Sequence, residues 1–347
     1  MNFGPGAFRL CLAAAVVATH LSRLKIGITA VMIFFILSGY WVTRMYCEKY
    51  RNGPRPLARF YLSRFLRLWP AFAVALLLTL ALRTAVGAST SLRDLLAFPM
   101  LGVASHRHDL LGISWSLDIE MQFYLALPLL VAWLAGAFAA PGTALSAPRF
   151  SPGEPAAGMQ TRLLLLLPLI VAGWWLHRLT GIETLAGYLP AFTAGALIYL
   201  CDFSARRRTA IWALIAFGGA GLMLAAFPST RGIVLTPGMN EVYTRMGGLA
   251  WAFVLLPFVA WNLRQPGGRS DRMLGDLSYS LYLTHYPLVE VAKFLAGGDL
   301  SLTQKTATLA VIAGVALAFY ALVDRTFERR RMLWVDSLVL GKPVAAR

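Results

Sequence analysis

Acidic residues are scarce in this chain of 347: 16 Asp and Glu stand against 32 Lys and Arg. Charged residues of either sign make up only 14%, too few for an ordinary soluble protein. Cysteine is limited to Cys11, Cys47 and Cys201. Scattered in or beside apolar stretches, these form no disulfide framework, no CxxC motif and no metal spacing, and they read as packing residues. Of the five histidines, His106 and His108 sit together in SHRHDL, but no third ligand lies within sequence range, so metal is not expected. No repeat of 20–50 residues recurs, and no stretch reads as a soluble second domain.

What fills the chain is apolar side chain, 58% of all residues, with a mean hydropathy of +0.63. Ten stretches approach the length of about 20 residues that crosses a bilayer. They are 8–23, 26–46, 60–82, 113–137, 162–178, 185–201, 209–227, 243–263, 276–296 and 303–324. The sequence thus predicts an all-α polytopic membrane protein of about ten transmembrane helices, forming a single integral-membrane domain over 1–347. Residues 92–104 are too short to span and read as interfacial. Residues 138–161, rich in Pro, Ala, Gly and Ser, read as a flexible cytoplasmic linker.

The net charge of +16 suggests a nucleic-acid partner until the charges are placed. With the N-terminus cytoplasmic, most of the basic residues fall in the even-numbered loops and at the two ends. Clusters at 44–67, 206–208, 264–272 and 325–331 all lie on that side. This is positive-inside asymmetry, and it predicts cytoplasmic N- and C-termini with 325–347 as a basic cytoplasmic tail. The partner implied is the lipid bilayer, not nucleic acid. A signal peptide is the rival reading of the N-terminus, because Arg9 precedes an apolar run. His20 and Arg23, however, interrupt the expected cleavage region.

Polar residues inside the apolar stretches are the candidates for chemistry. In FRLCLAAAVVATHLSR (8–23), Arg9 and His20 are eleven residues apart, about three turns plus 20°, hence nearly on one face. His20 alone reads first as an interfacial anchor beside Arg23. In SWSLDIEMQFYLALPLL (114–130), Asp118 and Glu120 form a carboxylate pair at the depth expected for His20. Glu120 and Tyr124 share a face at i and i+4, with Trp115 near. A carboxylate beside an imidazole fixes its tautomer and stabilises its protonated form, as a general-base histidine needs. Asp118 suits a capping role better than Glu120 does. Arg64 and Arg67 lie one turn apart where the third span meets cytoplasm. Two guanidiniums so placed suit a phosphate clamp, or equally a topology signal at the headgroups. His285, with Pro287, Glu290 and Lys293, lies within the ninth span, and a structural role fits it as well as catalysis. His177 closes WWLH and reads as part of an aromatic belt.

Taken together, these residues resemble the membrane-bound acyltransferase-3 family, which acylates sugars and related acceptors. Arg9 and His20 match its arginine, ten residues, histidine pattern. IFFILSGYWV (33–42) resembles its FFxLSGF signature, and RFLRLWP (64–70) its paired arginines before an aromatic and proline. WSLDIEMQFYLALP (115–128) resembles WSLxxExxFYLxxP. LPAFTAGALIY (189–199) resembles a weaker motif, and LGDLSYSLYLTHYPL (274–288), with Tyr279 and His285, matches SYxxYLxHxP. Ala30, Val31 and Met32 depart from the Gly-Val-Asp of many members, and nothing resembles the esterase-like domain fused to some relatives.

The resemblance implies an O-acyltransferase of the bacterial cytoplasmic (inner) membrane. Its co-substrate is acyl-CoA, acetyl-CoA foremost, with no metal. Arg64 and Arg67 would hold CoA phosphates, with Arg9 as a further anchor. His20 would take the proton of an acceptor hydroxyl while Glu120 orients the ring. Ser38, Trp115, Asp118, Tyr124, Tyr279 and His285 would line the site. Direct attack and an acyl-histidine intermediate both fit. The acceptor would be a carbohydrate or glycolipid, with a small natural product such as a macrolide as the variant. A secondary transporter would also have ten spans with buried charge, yet the related halves or paired broken helices of that class are not evident. A non-catalytic membrane protein would need no His20 and Glu120 at matched depth.

Overall fold

The computed structural model describes residues 3–89, 91, 96–105, 109–136, 158–235 and 241–341. His106, His108, most of the linker 138–161 and the last six residues of the basic tail lie outside them. Thirteen α-helices account for most of the described residues, with no named strand and one isolated bridge, Leu24 to Leu235. They are α1 (Pro5–Leu21), α2 (Ile26–Met45), α3 (Pro56–Ala85), α4 (Ser114–Leu134), α5 (Met159–Leu165), α6 (Leu167–Thr180) and α7 (Leu185–Leu200). Then follow α8 (Arg207–Ala226), α9 (Glu241–Val254), α10 (Leu256–Asn262), α11 (Arg269–Ala296), α12 (Leu302–Phe319) and α13 (Arg325–Leu340).

Every one of the ten predicted stretches coincides with a helix or helix pair, but six are long and apolar enough to cross a membrane by themselves. These are Ile26–Tyr50, Pro56–Ala85, Ser114–Leu134, Met159–Thr180, Arg207–Ala226 and Leu302–Leu340. A seventh results if α9 and α10 count as one span. They meet at a 56° bend, with Pro257 in the first turn of α10, where its missing N–H breaks the ladder. The shorter α1 and α7 have 17 and 16 residues, and α11, at 28, is long but too polar to be among the six. The basic tail is helical through Leu340. α12 runs through a π turn (Tyr320–Asp324) into α13, which packs on α3.

α2 stands at the centre, packed against α1, α7, α9 and α4. Its tightest crossing is with α7, where Gly39 lies on the Phe192 carbonyl and Gly195 on the Ile36 carbonyl. A side chain at either glycine would enter the other helix's backbone, so the glycines of LSGY and TAGAL are what let these motifs meet. Gly195→Ala is expected to cost at least about 1–3 kcal/mol through overpacking. It should lower the thermal midpoint of the detergent-solubilised protein. Gly218→Ala, in open space on α8, should not.

α1 is held at its N-terminus by α11. The backbone N–H groups of Gly6 and Ala7 donate to the two Asp271 carboxylate oxygens at 3.0 and 2.9 Å. A carboxylate there satisfies orphan donors and meets the positive end of the helix dipole. α4 is anchored in the same manner by Asp109, which accepts from the Gly112 and Ser114 backbones and the Ser114 hydroxyl. Burial pushes the Asp109 carboxyl above the usual carboxylate range, and these hydrogen bonds oppose the shift.

Candidate active site

With the sides named as the charge asymmetry predicts them, the residues separate into an outer group around His20 and an inner group around Arg9. His20, in the last turn of α1, faces α11, with its ring centroid 5.3 Å from that of His285 and 4.7 Å from that of Tyr286. His285 is fully buried. Its Nδ1 lies 2.8 Å from the Tyr282 carbonyl and 3.2 Å from that of Leu281. Both neighbours are acceptors, so Nδ1 carries the proton and Nε2 presents a bare lone pair. That Nε2 has no hydrogen-bond partner among the described residues. The outer group is therefore two imidazoles, one with its tautomer fixed by the backbone.

Glu120 is not part of it. One Glu120 oxygen accepts from Ser38 Oγ at 2.6 Å and from Tyr124 OH at 2.7 Å, and no hydrogen bond or ion pair joins Glu120 to His20. The reason is register. α4 and α11 run antiparallel, with Ser116 bonded to Tyr282 at 2.7 Å and Gly112 lying against the Tyr286 ring. Glu120 is four residues inward of Ser116 and His285 three residues outward of Tyr282, which separates the two by about 10 Å of depth. The expectation that Glu120 and His20 share a level is thus corrected: His285 takes the place assigned to Glu120.

Glu120 belongs to the inner group with Ser38, Tyr124, Arg9 and Arg64. The Arg64 guanidinium sits 5.9 Å from the Tyr124 ring centre and is buried, at 3% exposure. Among the described residues its hydrogen-bond neighbours are Ser63 Oγ at 3.5 Å and Met45 Sδ at 3.8 Å, and its Nε has none. No carboxylate among the described residues pairs with it. Arg9, one turn into α1, lies beside Gly275 and within electrostatic reach of Glu120 and Asp276, also without an ion pair among the described residues. Arg67 differs. It binds Asp324 at 2.9 Å, with Asp276 and Glu328 each at 3.8 Å, and rests over the Tyr279 ring, whose hydroxyl donates to the Leu68 carbonyl. Of the two arginines read together in the sequence, one is caged by carboxylates and the other has no carboxylate partner among the described residues.

Asp118 and Trp115 are placed by other contacts. The fully buried Asp118 accepts from the Ala104 backbone and from Gln122, whose carbonyl takes the Leu185 N–H. It ties α4 to a loop and to the start of α7. Trp115 lies under the Arg245 guanidinium, 3.8 Å from ring centre to Cζ. Arg245 in turn pairs with Glu183 at 2.8 Å and with the Tyr188 hydroxyl at 3.0 Å. This buried cluster was absent from the sequence reading, although an arginine inside the span 243–263 was its signal. Asp324, at the end of 303–324, was missed in the same way. Among the described residues no three His, Cys, Asp or Glu side chains converge to hold a metal.

The family model described as an acyltransferase domain (Acyl_transf_3) matches residues 4–323. The chain belongs to the acyltransferase-3 family. Its acyltransferase domain is built on helices of which at least six are long and apolar enough to cross a membrane. A peptidoglycan O-acetyltransferase, OatA of Listeria monocytogenes (serovar 1/2a, strain EGD-e), is 24% identical over 79% of this chain. The match takes in 47% of that protein, so the chain spans about half the length of this acyltransferase-3 relative. No solved structure matches.

Proposed function

We propose that the protein moves an acetyl group from acetyl-CoA, bound at the basic face of a bacterial cytoplasmic membrane, to a hydroxyl of a glycan on the other face. In this reading α1, α7, α9 with α10, and α11 complete ten spans, with both ends of the chain cytoplasmic. The observation that carries the reading is on α1: one helix bears at one end a guanidinium, Arg9, with no ion pair among the described residues, and at the other an imidazole, His20, set against the bare nitrogen of His285. Arg9 and Arg64 take phosphates of the donor, and its pantetheine arm runs past Tyr124, Ser38 and Glu120 toward His20. The acceptor hydroxyl gives its proton to His20, its oxygen attacks the thioester carbon, the C–S bond breaks, and the proton passes to the CoA sulfur. His285 positions His20. The carbohydrate acceptor is supported by the relative's name, peptidoglycan O-acetyltransferase.

Purified protein supplied with acetyl-CoA and a glycan should release free thiol and acetylate the glycan. Thiol release that never depends on an acceptor would remove the transferase reading. Within it, Glu120→Gln keeps an acceptor oxygen for Ser38 and Tyr124, so turnover should stay within about tenfold of wild type. Glu120→Ala leaves the Tyr124 hydroxyl unpaired and should cost more, chiefly in the KM for acetyl-CoA. Equal kinetics for Glu120→Ala and wild type would take Glu120 out of the donor path.

A further inference from the structure

Arg331 lies in no motif of the sequence and in the stretch read as a cytoplasmic tail. α13 carries it back against α3, next to Arg64. Its Nη1 lies 3.4 Å from the Ser63 carbonyl, while Arg64 Nη2 lies 3.5 Å from the Ser63 hydroxyl, so two guanidiniums converge on one serine. Both are buried, at 8% and 3% exposure. The Ser63 hydroxyl is bound by the fully buried Tyr50 at 2.7 Å, which fixes the floor between them. Glu328, at 2.7 Å from Arg331, is the one carboxylate in contact with this pair among the described residues. The others, Asp324 and Asp276, are gathered on Arg67. The Nε of Arg64 and the Nε of Arg331 each lack a hydrogen-bond partner among the described residues.

Glu328 offsets one of the two charges, which leaves a guanidinium charge out of water with no counterion among the described residues, and idle buried N–H donors add their desolvation cost. An anion with several oxygens removes both penalties, and planar forks converging from two helices match phosphate. We infer that Arg64 and Arg331 together form a phosphate-binding site, closed by the C-terminal helix α13, at the basic face. The ligand is a phosphate ester: a phosphate of the acyl-CoA donor, which rests on the function proposed above, or the headgroup of an anionic phospholipid.

The test uses the full chain in lipid nanodiscs. Binding of radiolabelled acetyl-CoA is measured for wild type, Arg64→Met, Arg331→Met and the double variant. Each single variant should raise the Kd by about tenfold or more, and the double little further, since both arms grip one group. Arg331→Lys should restore part of the affinity. Arg330→Met, one residue away and exposed, should change nothing. If acetyl-CoA binding is unaltered but anionic phospholipid that survives purification is lost from Arg331→Met, the site stands and its ligand is the headgroup. A folded Arg331→Met protein, with wild-type thermal midpoint, that keeps both acetyl-CoA affinity and phospholipid overturns the inference. Wild type that binds no acetyl-CoA at all sinks the donor reading instead, and the phospholipid arm then decides the site alone.

Discussion

His20→Ala should lower acyl transfer by about 10²–10⁴-fold while leaving insertion and abundance unchanged. The residue closes α1 and is only partly buried, so truncation removes a base without opening the core. The measurement is acceptor-dependent thiol release by purified protein at saturating acetyl-CoA, with abundance followed by immunoblot. His285→Gln sharpens it. Glutamine keeps a buried polar group near the Tyr282 carbonyl but loses the bare nitrogen beside His20, so kcat should fall with little change in KM. Wild-type turnover in His20→Ala would end the assignment. Loss in His285→Gln that appears only as lower abundance would make His285 a packing residue.

Arg67→Ala should cause the other large loss, and of a different kind. Its removal strands Asp324, which is 4% exposed and held by Arg67 at 2.9 Å. Breaking a buried ion pair from one side costs about 3–5 kcal/mol, because the remaining charge has no counterion. Arg67→Ala should therefore reduce folded protein recovered in detergent and lower its thermal midpoint. Arg64→Ala, which strands no carboxylate, should keep the midpoint and raise the KM for acetyl-CoA. The combination Arg67→Met with Asp324→Leu should recover much of the lost stability, since replacing both charges by apolar groups is tolerated far better than removing one. A stable Arg67→Ala protein with a raised KM would put Arg67 back in the donor site beside Arg64.

The pair shows where sequence stops being informative. The spacing of Arg64 and Arg67 is visible in RFLRLWP, and it fixes which helix face they share. It says nothing of Asp324, 257 residues later, which meets Arg67 from the end of the π turn after α12. The same holds for His20. Its place at the outer end of an apolar helix follows from counting residues, but its partner depends on the register of α4 against α11, set by Ser116 with Tyr282. Glu120 and His285 were both legible as polar residues within spans, and the choice between them needed that register. The helices themselves were plain throughout, because apolar length is a local property. α11 is the polar one among the long helices, because it carries Asp271, Asp276, His285, Glu290 and Lys293. The Arg245, Glu183 and Tyr188 cluster joins two segments 57 residues apart, so no local pattern announces it.

The carboxylate of Asp271 on the first amides of α1 pins the start of α1 to α11. Arg9 and His20 are then fixed on a single rigid rod, about 16.5 Å apart along its axis. In the proposed reading such a rod would act as a gauge for the donor. With the phosphates at Arg9, a thioester would need an arm of matching length to bring its carbonyl to the imidazole. An acetyl thioester on a truncated carrier, bound or not, arrives short and should not react. Donor selection would in that way be set by a distance within one helix rather than by the shape of a pocket.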